Sequence, residues 1–162
     1  MNPCPCGYYG DPSGRCRCTQ TMVDNYKARI SGPLMDRIDM HIYVERVPAE
    51  DLTADDGAEP SAAIAERVRR ARKIQSERFR GENGVFTNAR MNAEMITRHC
   101  ATGSGEKEFL CKLIDKLGLS ARAYGRVLKL ARTIADLAGD KDISLEAISE
   151  AVQYRNLDRL EH

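Results

Sequence analysis

From Ser61 onward, apolar residues return every three or four positions. Ile64, Val68, Ala71 and Ile74 share one helical face, with Ser61 as a candidate cap and Gly81 and Gly84 as the stop. A shorter helix is predicted from Asn92 to His99. Ser104 then precedes Phe109, Leu110, Leu113, Ile114 and Leu117, with Gly118 as a C-terminal stop. The sharpest pattern opens at Ser120. Tyr124, Leu128, Ala131, Ala135 and Ala138 form one stripe, Val127, Leu130, Ile134 and Leu137 widen it, and Gly139 ends it. A last helix from Ser144 buries Leu145, Ile148 and Val152. Helices joined by short turns predict a small α-bundle.

The front of the chain has a different period. Ile38, Met40, Ile42 and Val44 alternate with Asp39, His41, Tyr43 and Glu45, which predicts a strand. No second strand of similar quality accompanies it, so the front reads as the end of a domain whose remainder lies elsewhere. The fold class expected is mainly α, with a remnant strand and a Cys-rich loop ahead of the helices. The expected division is 1–46, an acidic linker over 47–61, a helical domain over 62–159, and a tag remnant at 160–162.

Composition narrows the classes of function. The 162 residues are 42% apolar, which permits a core, and 30% charged with a net charge of +1, which excludes a generic polycation. No run reaches the ~18 apolar residues of a membrane span, and no charged-then-apolar signal opens the chain. A soluble, cytoplasmic protein with no membrane partner is expected. The charge is segmented: residues 47–61 hold five acidic groups and no basic one, whereas residues 62–99 hold nine basic and four acidic groups.

Cys4-Pro5-Cys6 and Cys16-Arg17-Cys18 form two C-x-C pairs with nine residues between them, among them Gly7, Gly10, Pro12 and Gly14. Four thiolates on a turn-rich loop can close a tetrahedron around Zn²⁺ as a structural site. Arg15 and Arg17 stand beside the negative charge this creates. Free thiols, disulfides and an iron–sulfur site remain alternatives on this spacing. Cys100 and Cys111 fall on helical patterns and are assigned to the core.

Arg37, just ahead of the predicted strand, projects from a segment whose apolar neighbours fix its backbone, a suitable base for reaching a phosphate. A surface pair with Asp36 or Asp39 is the alternative. Arg122 follows the Ser120 cap by two residues, where free N–H groups and the helix dipole favour an anion. An exposed arginine tolerated there at small cost is the alternative. Arg126, Lys129 and Arg132 further along, and Arg67 to Arg80 on the earlier helix, read mostly as solvated faces. Thr102 to Glu108 lacks the spacing and magnesium-binding hydroxyl of a phosphate loop and reads as a turn and cap. His41 and His99 stand alone, with no nucleophile–base arrangement around them.

Three segments together carry a resemblance. Met1-Asn2-Pro3-Cys4-Pro5-Cys6-Gly7-Tyr8 with Cys16 and Cys18, then Ile30 to Asp39, then Leu117 to Tyr124 running on to Ala131–Gly139, resemble the magnesium-chelatase-like AAA+ ATPases of the competence-protein ComM type, in order and spacing along nearly the whole chain. The resemblance implies that Asn2 is the sensor-1 residue orienting the attacking water and Arg37 the arginine finger reaching ATP in a neighbouring subunit. It implies that Arg122 is the sensor-2 arginine of a helical lid. It implies ATP and Mg²⁺ as cofactors of the full-length protein, identical subunits in a hexameric ring, and DNA as the substrate of a recombination motor or helicase. A tetrapyrrole metal-chelatase ATPase, or a zinc-stabilised nucleic-acid adaptor, is the alternative. The phosphate-binding loop and acidic magnesium motif belong upstream of Met1, so the chain is expected to be a C-terminal fragment without ATPase activity of its own.

Overall fold

The computed structural model describes residues 1–35, 37–44, 47 and 59–155. The chain divides into two compact units, Met1–Ile38 with Tyr43–Asp56, and Asp39–Ile42 with Gly57–His162. Most of the expected linker and all of the expected tag lie outside the described residues. Among those described, all regular structure is helical.

In the first unit, Thr19 caps α1 (Gln20–Lys27) by accepting a hydrogen bond from the Met22 amide. Only Val23 of this helix is buried, which is why no apolar period announces it. A single turn, α2 (Gly32–Met35), follows. Cys4 and Val23, both 0% exposed, are the buried apolar side chains described in this unit.

The second unit is built on α3 (Ser61–Arg78), α4 (Ala93–His99), α5 (Ser104–Leu117), α6 (Ala121–Ala138) and α7 (Leu145–Gln153), with a 3₁₀ turn at Asn88–Arg90. Helix α6 is its axis: α3, α4, α7 and the 3₁₀ turn all pack on it, and α5 closes against α7. Val127, Leu128 and Ala131 meet Phe79, Met91, Met95, Leu110, Ile143, Ile148 and Val152 in one core. Ser120 and Ser144 accept bonds from the amides three residues on, and Gly118 and Gly139 close α5 and α6 in the left-handed cap conformation, as their positions predict.

Several expectations change, among them the burial of Leu145, which is 42% exposed at the start of α7 while Ile148 and Val152 are buried. Ser61 is the first helical residue rather than the cap: Pro60, held at φ −63, takes the cap position and its carbonyl receives the Ala63 amide. Along α3, Ile64 and Val68 are more than 40% exposed and Ala71 is buried, because only the later turns of this helix face α6. Cys111 is exposed, one residue round α5 from the buried Leu110. Residues 38–44 form no strand. Alternation selects faces, but a ladder needs a paired backbone, and the His41 amide finds only the Tyr154 carbonyl at 2.7 Å. Ile38, Met40, Ile42 and Val44 accordingly remain exposed. The mainly α fold class stands.

Candidate functional site

The four cysteines of the first unit converge. Their sulfurs all lie within 4.8 Å of one another, with Cys4–Cys6 at 3.3 Å, Cys4–Cys16 at 3.9 Å and Cys6–Cys16 at 3.7 Å. A disulfide would require about 2.05 Å, and all four are free thiols. Two tight turns produce the convergence. The Gly7 amide returns to the Cys4 carbonyl at 3.0 Å, and the Asp11 amide to that of Tyr8. The loop then leans on α1 through the Lys27 ammonium, 4.9 Å from the centre of the Tyr9 ring. Backbone amides point at the sulfurs: those of Tyr8 and Arg17 pull the Cys6 thiol down to about 6. At Cys18 the Cys6 backbone acts in the same direction, but burial and the thiols of Cys6 and Cys4 prevail and push it up to about 12. The group titrates as a set in which one thiolate makes the next harder to form.

Asn2 rests on this loop. A Cβ on Gly7 would meet the Asn2 side-chain nitrogen at an ordinary contact distance of 3.7 Å, so it is the turn, with Gly7 at φ +83, that calls for glycine. Arg37 is exposed beside α2, and its guanidinium donates to the Pro33 carbonyl at 2.9 Å, which tethers it four residues back along the chain.

In the second unit, Arg122 is exposed in the first turn of α6, which carries no acidic residue. The positive end of the helix dipole is therefore reinforced rather than neutralised by side chains. Lower on α6 the charges are not a solvated face. Arg126 pairs with Asp39, and Lys129 donates to the Ala89 carbonyl at 3.0 Å. Arg132 is 3% exposed and Asp136 1%. Arg132 donates to Asp136 at 3.0 Å and to the carbonyls of Lys141 and Asp140 at 2.8 and 2.6 Å. Arg78 at the end of α3 reaches the same carboxylate at 2.7 Å, and the Asn88 amide group donates to it at 2.7 Å. One carboxylate thus ties together α3, the 3₁₀ turn, α6 and the loop after it. Sequence reasoning assigned Arg78 and Arg132 to the surface. The signal available was an Arg–Asp pair at i, i+4 whose members each directly follow an alanine of the apolar stripe, Ala131 and Ala135.

Other sequence expectations find their places. Arg67 pairs with Glu59 at 2.6 Å and Arg69 with Glu66, whereas Arg70, Arg72, Lys73 and Arg80 face outward. At the start of α5, a side chain on Gly103 would collide with the Glu106 carboxylate, so negative charge already covers that turn. Cys100 is buried, and burial pushes its thiol up to about 11. His99 sits edge-on to Phe79 with ring centroids 5.6 Å apart.

Sequence comparison finds a family match for each of the two units. Residues 58–155 match the family described as magnesium chelatase, subunit ChlI C-terminal, and residues 1–52 match that described as magnesium chelatase, subunit ChlI. The chain belongs to this magnesium chelatase family. It is 42% identical over 161 residues to the competence protein ComM of Haemophilus influenzae, which takes in 99% of this chain and 30% of that protein. It is 38% identical over 162 residues to the uncharacterized protein YifB of Escherichia coli, and 32% identical over 154 residues to an uncharacterized protein of Mycobacterium bovis. The chain spans 30% of the length of each of these relatives. No described helix is long and apolar enough to cross a membrane.

Proposed function

We propose that this chain supplies the sensing and completing residues of a magnesium-chelatase-type AAA+ ATPase, and that the whole protein is a hexameric ring that moves DNA in the cytoplasm during recombination or transformation. In this reading Asn2 orients the water that attacks the γ-phosphate of Mg-ATP. Arg37 reaches the nucleotide of the neighbouring subunit and stabilises charge in the transition state. Arg122 contacts the γ-phosphate from the helical lid, here residues 62–159, which follows the core segment 1–46 and the linker 47–61. The observation that carries it is Arg122 itself: a cation in an acid-free first turn is unfavourable unless an anion joins it. The Arg78–Asp136–Arg132 knot makes the lid rigid enough for loss of that anion to move it as a body. In this frame the four-cysteine loop is a structural rather than a catalytic centre.

The DNA substrate is favoured by the likeness to a competence protein. A ring that powers metal insertion into a tetrapyrrole is the second reading, favoured by the description of the matched family. The deciding experiment uses the full-length protein. Arg37→Ala should lower ATP hydrolysis by about 10³-fold or more, and mixing with a phosphate-loop variant should restore part of it, because each defect lies on a different side of the shared site. Retained hydrolysis by Arg37→Ala overturns the assignment. Stimulation by DNA supports the motor, whereas stimulation by a chelatase partner with porphyrin supports the second reading. The 162-residue chain alone, which contains no G-x-x-x-x-G-K-[ST] segment, should show no turnover above background.

A further inference from the structure

We propose that Cys4, Cys6, Cys16 and Cys18 bind one Zn²⁺ as a closed tetrathiolate centre that replaces a hydrophobic core in the first unit and fixes the turn on which Asn2 rests. The part concerning Asn2 rests on the sensor role given to it above; the metal site does not.

The geometry is that of a metal's ligand set. Four sulfurs at the corners of a tetrahedron with Zn–S bonds of about 2.3 Å are separated by about 3.8 Å. Three of the separations in this loop are 3.3, 3.7 and 3.9 Å, and all four sulfurs fit within 4.8 Å of one another. Each C-x-C pair turns a backbone amide toward its own first sulfur: the Cys6 amide faces Cys4, and the Cys18 amide faces Cys16. Amides aimed at thiolates are the outer-shell contacts that orient such ligands. The set is all sulfur, which selects zinc or iron over harder ions. Four protein ligands close a tetrahedral zinc and leave no position for water, so the centre supports folding rather than chemistry.

The unit also needs a staple. Its described buried apolar side chains are Cys4 and Val23, far short of the core that a small unit requires, and units of this size are ordinarily held by metals or disulfides. Binding at a site that exists only in the folded chain converts metal affinity into folding free energy. The first ligand, Cys4, opens the Cys4–Gly7 turn, and Asn2 lies against Gly7. Loading the metal therefore orders the surface that positions Asn2.

The test uses the 162-residue chain purified without added metal or chelator. Elemental analysis should find one zinc per chain, and replacement by Co²⁺ should give the ligand-field and sulfur-to-metal bands of a tetrahedral tetrathiolate. Cys16→Ser should weaken zinc binding by more than about 100-fold, beyond what outer-shell changes cause, whereas Cys111→Ser, on the exposed face of α5, should leave it unchanged. The cobalt spectrum is read on the unaltered chain, so an unstable variant does not blunt the test. Four alkylatable thiols with no metal, two disulfides, or iron with inorganic sulfide in place of zinc would each overturn the site. Removing zinc should shift or broaden the Asn2 side-chain amide resonance. An unmoved resonance overturns the tie to Asn2 while the metal site stands. Conversely, undiminished ATP hydrolysis by Asn2→Ala in the full-length protein would sink the sensor role without touching the zinc content.

Discussion

Asp136 is the most deeply buried charge among the described residues, 1% exposed between two arginines. Burial alone would raise its carboxyl, but hydrogen bonds from Arg78 and Asn88 and the charges of Arg78 and Arg132 hold it below the usual carboxylate range. Asp136→Asn leaves two guanidinium groups without a counter-charge, and should cost about 3–5 kcal/mol in urea unfolding. Since the folded pKa lies below the unfolded one, this contribution is complete above about pH 4 and drains away as pH falls further. The variant should lose that acid slope. His99 acts higher on the scale. Burial first, then Arg78 and Arg98, lower its pKa. The unfolded chain therefore takes up the proton first, and stability should decline as pH drops below about 6.5 until the folded imidazole is also protonated. His99→Phe should flatten that part of a pH–stability profile. Of these environments only the Arg132–Asp136 pair, at i, i+4, shows as a local pattern. Asp136 and Arg78 are 58 residues apart in sequence, and their meeting depends on how α3 crosses α6.

At the scale of elements, α6 separates what holds the fold from what the fold presents. Ser120 caps it through its side-chain oxygen and the Ala123 amide. Ser120→Ala should cost about 1 kcal/mol, which for a unit of this size lowers the melting midpoint by roughly 4–8 °C. Ser120→Gly should cost only a few tenths. Arg122→Ala, two residues on, should do the reverse. Removing a cation from the positive end of the dipole should leave the midpoint unchanged or raise it by about 0.3–1 kcal/mol equivalent, while abolishing nucleotide response in the full-length protein. A midpoint that falls with Arg122→Ala would mean that the residue serves the fold. Caps and stops are legible because each is a bond between neighbours in sequence. The facing of α3 is not: Ile64 and Ala71 share its stripe, yet Ala71 is buried and Ile64 is exposed. Helix α1 shows the converse, formed around Thr19 and the single buried Val23 without any stripe to announce it.

For the molecule as a whole, the two units are stabilised by different physics. The second buries a contiguous core along α6, whereas the first gathers its thiols around little apolar surface. Stripping metal with a strong chelator should therefore abolish hydrogen-exchange protection in residues 1–38 and leave the melting midpoint of the α3–α7 unit in place, since none of the four thiols lies there. Loss of both together would show that the units stand or fall as one. The sequence alone determined the helical class, the caps at Ser120 and Ser144, the stops at Gly118 and Gly139, the thiol quartet, and the family to which Asn2, Arg37 and Arg122 point. All of these are encoded in residue type and short spacing. Tertiary structure decided that Arg78, Arg132 and Asp136 go inside, that the alternating segment 38–44 finds no ladder, and that Asn2 leans on the cysteine loop. Burial and pairing are properties of two surfaces that meet, and no single stretch of chain contains both.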